Sequence, residues 1–94
     1  MKITTDLKNI KTALDLAKVA VYGEREDDYG PVWDDMARVA KLWSAILDTN
    51  VKPEQVPLCM IALKLSRLCF SLKEDSIVDV AGWAEVLHRL TKGR

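Results

Sequence analysis

Residues 56–72 read Val-Pro-Leu-Cys-Met-Ile-Ala-Leu-Lys-Leu-Ser-Arg-Leu-Cys-Phe-Ser-Leu. From Leu58 to Leu63 no side chain is polar, and only Lys64, Ser66, Arg67 and Ser71 interrupt the remainder. Apolar runs that form strands usually stop after about 4–8 residues, whereas this one is longer and rich in Leu and Met, so it predicts a helix. A helix that is apolar nearly all round must be covered on more than one side. It is too short and too charged to cross a membrane. The stretch is therefore expected to be the central helix of a small all-α protein.

Outward from it, the expected fold is a four-helix bundle with helices at about 4–22, 31–48, 53–71 and 74–91, in a single domain over residues 1–94, completed by oligomerisation. In the first helix Ile3, Leu7, Ile10, Leu14, Ala17 and Val21 alternate steps of four and three, an apolar seam of coiled-coil type. Thr4 or Thr5 would cap it, and Gly23 is the expected stop. Residues 23–31 hold Glu24, Glu26, Asp27 and Asp28 and read as a solvated loop, or as one that lines a site with carboxylates and Tyr29. In the second helix Trp33, Met36, Ala37, Ala40, Trp43 and Leu47 share one face. Pro53 suits a helix start, but Pro57 would then distort the first turn. In the last helix Ile77, Ala81, Ala84, Leu87 and Leu90 are the expected buried stripe. The short link between helices three and four makes an antiparallel hairpin. It brings Arg67 towards Asp75 and Lys64 towards Asp79, the one polar cluster that the pattern predicts with force.

Composition narrows the function. Fourteen acidic and fourteen basic residues cancel, which argues against general nucleic-acid binding. A hydrophobic fraction of 49% is high for a monomer of 94 residues and favours a homo-oligomer, with a dimer as the first expectation. No apolar signal segment is evident, and the expected location is the cytoplasm, with no membrane association. Cys59 and Cys69 lie about 15 Å apart along one helix and cannot pair, so they read as reduced core thiols. Lone His88 is a poor metal ligand, and no phosphate loop, nucleophile elbow or zinc spacing is present.

Four blocks occur in order: Asp28-Tyr29-Gly30, Ala40-Lys41-Leu42-Trp43-Ser44, Leu63-Lys64-Leu65-Ser66-Arg67-Leu68, and Asp75-Ser76-Ile77-Val78-Asp79-Val80-Ala81-Gly82-Trp83. Together they resemble a phage- and prophage-encoded family of small helical proteins of unknown function. The resemblance implies a phage-type accessory protein in the cytoplasm of a bacterial host. More distantly, the helix hairpin with its acidic motif resembles the MazG-like all-α nucleotide pyrophosphatases. These enzymes split nucleoside triphosphates with magnesium held by Glu-x-x-Glu and Glu-x-x-Asp. Asp79 matches the last acid, Asp75 stands one residue from its expected place at Ser76, and Lys64 and Arg67 occupy the Glu-x-x-Glu positions. Cations cannot hold Mg²⁺.

The leading expectation is thus a non-enzymatic helical module that binds a host protein or a phosphate-bearing (nucleotide) ligand. Its candidate residues are Lys64, Arg67, Asp75, Asp79, Asp28 and Tyr29, and it needs no cofactor. One alternative is a nucleoside triphosphate pyrophosphohydrolase with Mg²⁺ on Asp75 and Asp79. The other is a purely structural oligomer in which the Lys/Arg–Asp pairs clamp the hairpin.

Overall fold

The structure, a computed structural model, describes residues 12–93. Among them are four helices and no strand. Helix α1 starts at Ala13, passes through a π-helical stretch at Ala20–Arg25 and ends in an α-turn at Glu26–Tyr29. Helices α2, α3 and α4 are Val32–Leu47, Gln55–Phe70 and Glu74–Thr91. Thr12 caps α1 in a capping box: its hydroxyl accepts from the Asp15 N–H, and the Asp15 carboxylate accepts from the Thr12 N–H. Residues 4–11 of the expected first helix, with their Thr caps, lie outside the described residues.

The expected loop at 23–31 is a correction. Gly23 does not stop the helix; it sits inside the π-helical stretch, and the acidic run continues as helix to Tyr29. The stop is Gly30, whose φ of 81° and ψ of −170° lie where side chains are strongly disfavoured. A glycine within a helix costs only about 1 kcal/mol, which tertiary contacts of the following turn can offset.

The core comprises Val21, Val32, Met36, Ala40, Val56, Val86 and Leu90, with Trp33, Trp43 and Trp83 packed around it. The first two tryptophans are thus packing residues, as their spacing suggested. Pro57 is buried in the first turn of α3. Because α3 starts at Gln55, the missing N–H of Pro57 is among the first four, which have no helical partner in any case, and no distortion is needed. Ser44 ties the preceding connection down: its hydroxyl donates to the Ala40 carbonyl at 2.7 Å and accepts from the Val51 N–H at 2.8 Å.

The centre of the fold is α4, not α3. Helix α4 packs against α1, α2 and α3. Of α3, only Val56 and Pro57 are buried; Cys59 and Cys69 are exposed, contrary to the expectation of core thiols. The buried line of α4 is also turned from the expected one: Gly82, Val86 and Leu90 are inside, while Ile77 is 45% exposed and Ala84 faces out. Both helices carry apolar residues on several sides, so periodicity did not determine which side is covered.

Met36 is completely buried. Met36→Ala is expected to lower the unfolding free energy by about 2–5 kcal/mol, and Ile77→Ala by less than about 1 kcal/mol. Urea unfolding of both variants checks the order.

Candidate functional site

Polar chemistry concentrates where α1, α3 and α4 meet. Arg25, in the last turn of the π-helical stretch, donates from Nη2 to Asp35 Oδ2 at 3.0 Å. Asp35 is only 6% exposed, and its other oxygen faces Arg38 Nη2 at 3.4 Å. Two guanidiniums thus share one carboxylate. Arg38 Nη2 also donates to the Tyr29 carbonyl at 3.1 Å, closing the end of α1 against α2.

The Arg25 guanidinium lies 4.3 Å from the centre of the Trp83 ring and 5.3 Å from that of Tyr29. Stacking of this kind holds the planar group by its faces and leaves its edge donors in the ring plane. One of these, Arg25 Nε, is buried, and no protein acceptor reaches it. A buried donor left without an acceptor costs about 1–3 kcal/mol.

Next to Arg25, on the facing helices, Lys64 Nζ pairs with Asp79 Oδ2 at 2.8 Å. The Lys64 side chain is 14% exposed and that of Asp79 is 43% exposed. Arg25, Lys64 and Asp79 line a single cleft of about 250 Å³ with apolar walls from Met60, Val86 and Trp83. Gly82 is also part of its lining. A Cβ added there would meet Val21 Cγ2 at 3.6 Å, an ordinary contact, so close packing of α1 does not require the glycine.

The sequence-predicted residues are divided by the fold. Lys64 and Asp79 come together as expected, and Tyr29 joins them through Arg25. Arg67 does not: it is exposed and lines a separate depression with Lys73 and Ser71 at the start of α4. Asp75 is exposed in the first turn of α4, and Asp28 is exposed near the end of α1. Among the described residues no three His, Cys, Asp or Glu side chains come close enough to hold a metal ion. His88 is exposed, with Nδ1 at 3.7 Å from Glu85 Oε1. Elsewhere on the α1–α4 contact, Tyr22 donates to Glu85, and Arg89 lies over the Tyr22 ring at 5.1 Å. Hydrogen bonding to Tyr22 raises the Arg89 guanidinium above its ordinary value.

Sequence reasoning missed Arg25 and Asp35 as a pair. The signal was faint: Arg25 is the lone cation in an acidic run, and Asp35 falls between the apolar positions Val32, Met36 and Val39.

The model of the family described as a domain of unknown function, DUF6378, matches residues 12–91, which include all four helices and every residue of the cleft. The chain belongs to this family. Two DUF6378-chain relatives are phage-encoded: the Gene 55 protein of Mycobacterium phage L5, 35% identical over 79 residues, and the Gene 55 protein of Mycobacterium phage D29, 28% identical over 81 residues. These alignments cover 82% and 85% of this chain but 51% and 54% of the relatives, so the chain spans about half the length of the curated relatives it matches. No solved structure matches it. Among the described residues no helix is long and apolar enough to cross a membrane.

The Arg25–Asp35 and Lys64–Asp79 pairs of this DUF6378 chain differ in burial, and so in what their loss costs. Asp35→Ala leaves a part-buried Arg25 without its near carboxylate and is expected to destabilise by about 3–5 kcal/mol. Asp79→Ala leaves the Lys64 ammonium without its carboxylate, but removes a half-exposed partner at an open cleft and strands one cation where Asp35→Ala strands two, so it is expected to cost less, about 1–2 kcal/mol. Denaturant unfolding measures both, and equal losses would contradict the assignment.

Proposed function

We infer that the chain is a non-enzymatic phage accessory module that works by docking an uncovered helix face on protein, first on a second copy of itself, in the cytoplasm of the bacterial host. The observation that carries this reading is the outward face of α3. Leu58, Ala62, Leu65 and Cys69 alternate steps of four and three, the spacing of a helix-pairing seam, and all are exposed, as is Leu72 in the link that follows. Leu58 and Leu65 are about half exposed, and Leu72 and Phe70 are 83% and 94% exposed. The Leu58–Phe70 part of this face carries no charge. Fully burying each large apolar side chain is worth roughly 1.5–3 kcal/mol, and a typical stable interface hides about 800 Å² on each partner. Two copies related by a two-fold axis would present the same face to each other, as closed dimers require.

A host protein with an apolar helix is the second occupant that this face would accept. A phosphate-bearing ligand held jointly by Lys64 and Arg67 has less support, because the two cations serve different depressions. The pyrophosphatase alternative needs Mg²⁺ on Asp75 and Asp79, yet Asp79 faces the Lys64 ammonium, which competes with a metal ion for the same oxygens. The docking reading itself needs no cofactor.

Leu65→Glu places a charge in the middle of the seam at a position that is 51% exposed in the single chain, so the fold should survive. Sedimentation velocity is expected to show a dimer for the unchanged protein and a monomer of unaltered helical content for the variant. The dissociation constant should rise by about two orders of magnitude or more. A protein that is monomeric at every concentration tested would rule out self-docking and leave the face for a host partner.

A further inference from the structure

The geometry points to an antiparallel pair, in which the outward face of α3 meets the same face of a second copy about a two-fold axis level with Lys64. This rests on the reading that α3 docks on a second copy, and it adds the direction and register of that docking.

The observation behind it is a palindrome in the exposed residues. On either side of Lys64 stand Leu63 and Leu65, then Ala62 and Ser66, then Cys59 and Cys69, then Leu58 and Phe70. All of them are exposed. Each pair is matched in size: Leu with Leu, Ala with Ser, Cys with Cys, and one large apolar side chain with another. Met60 and Leu68, the intervening matched pair, are both partly buried. Arg67 is exposed while its counterpart Ile61 is partly buried, so the match ends at the rim. Lys64 itself turns inward to Asp79.

A two-fold axis perpendicular to a helix reverses the partner's direction. A residue a given number of steps after the axis then lies level with the residue the same number of steps before it on the other copy. Centred on Lys64, this sets Cys59 level with the partner's Cys69, Ala62 with the partner's Ser66, and Leu58 with the partner's Phe70. A parallel pair sets every residue level with its own equivalent whatever the sequence, so it gives the palindrome no role. The antiparallel pair also sets the positive end of each helix dipole beside the negative end of the other.

Side-chain size fits the same arrangement. At about 100° per residue, Ala62 and Ser66 point nearly opposite to Lys64, with Cys59 and Cys69 close beside them. The middle of the face is thus small, which favours the short end of the usual axis separation of about 8–10 Å. Leu58 and Leu65 stand along one edge, and Leu63 and Phe70 along the other. Phe70, 94% exposed in the single chain, gains the partner's Leu58 as cover.

The two cysteines report direction. Cys59 and Cys69 of one chain lie about 15 Å apart along the helix and cannot bond to each other, so a Cys59–Cys69 link joins two chains. The test is brief oxidation of the full chain with copper phenanthroline, which takes up the two electrons of each disulfide, followed by non-reducing electrophoresis and tryptic mapping. The expected product is a covalent dimer that joins the Cys59 peptide to the Cys69 peptide, and it should be lost in Cys59→Ser and in Cys69→Ser alike. Links of Cys59 to Cys59 and Cys69 to Cys69, each surviving in one of the single variants, would overturn the antiparallel direction while self-docking stands. Sedimentation of the same sample separates the two readings, because a monomer at every concentration sinks self-docking and the pairing with it. A second measurement does without cysteine chemistry. Leu58→Lys combined with Phe70→Glu in one chain sets opposite charges level with each other and is expected to associate more tightly than either change alone. A double variant weaker than both single ones would overturn the register.

Discussion

Asp35 is the constraint on which the arrangement depends. Among the described residues it is the charged group that is buried, and it is positioned by the first turns of α2. An ionised carboxylate at that depth is tolerable only with cations against it. Arg25 supplies one from the end of α1 and Arg38 a second from α2 itself. Through Arg25 the same contact reaches Trp83 on α4, and through Arg38 it reaches the Tyr29 carbonyl. Three helices are thereby fixed relative to one buried oxygen pair. The apolar core beside it, centred on Met36 and Val86, supplies most of the favourable free energy. Hydrophobic burial is non-directional, so the ion pairs decide the angle and register at which α1 meets α2 and α4.

The seating of α3 follows. Its hairpin with α4 is joined by Ser71–Lys73 alone, and its inner side closes on α4 through Met60 and Lys64. In the described chain Leu58 and Leu65 stay about half exposed and Phe70 almost wholly so. A helix of this composition in water is an unfinished surface. The fold closes around α4 and leaves the most apolar sequence in the protein at its edge, an inversion of the order that hydrophobicity by itself suggests.

That inversion explains what was legible from residues. The all-α class, the four helices and the α4 boundaries followed from period and punctuation, because Pro31, Pro53 and the break at residues 71–73 are local signals. The Lys64–Asp79 pair followed from the hairpin, whose short link leaves little freedom of register. Which side of α3 and α4 is covered did not follow. Apolar residues surround both helices, and the deciding facts are pairwise: Val21 against Gly82, Met60 against the α4 side. The end of α1 is not legible locally, because Gly23 and an acidic run resemble a turn, and the contacts that keep it helical come from Arg38 and Trp83, far along the chain. Arg67 and Lys64 are three residues apart, a spacing that suggests one shared face. That spacing is also wide enough, about 60° around the axis, to send them to opposite sides of a narrow ridge.

The π-helical stretch at Ala20–Arg25 has a consequence for the whole of α1. A π-turn accommodates one residue more than the α-turn it replaces, so it shifts the phase of everything that follows by about 100° relative to an uninterrupted helix. The seam that includes Ala17 and Val21 and the cluster that includes Arg25 and Tyr29 are therefore written in two different frames of the same helix. Winding the same residues as an uninterrupted α-helix would aim Arg25 away from Asp35, whereas deleting one residue within 20–24 would let a regular helix keep that aim. In this chain local irregularity acts as a splice between two reading frames, and a more ideal winding of the same residues would give a less coherent protein.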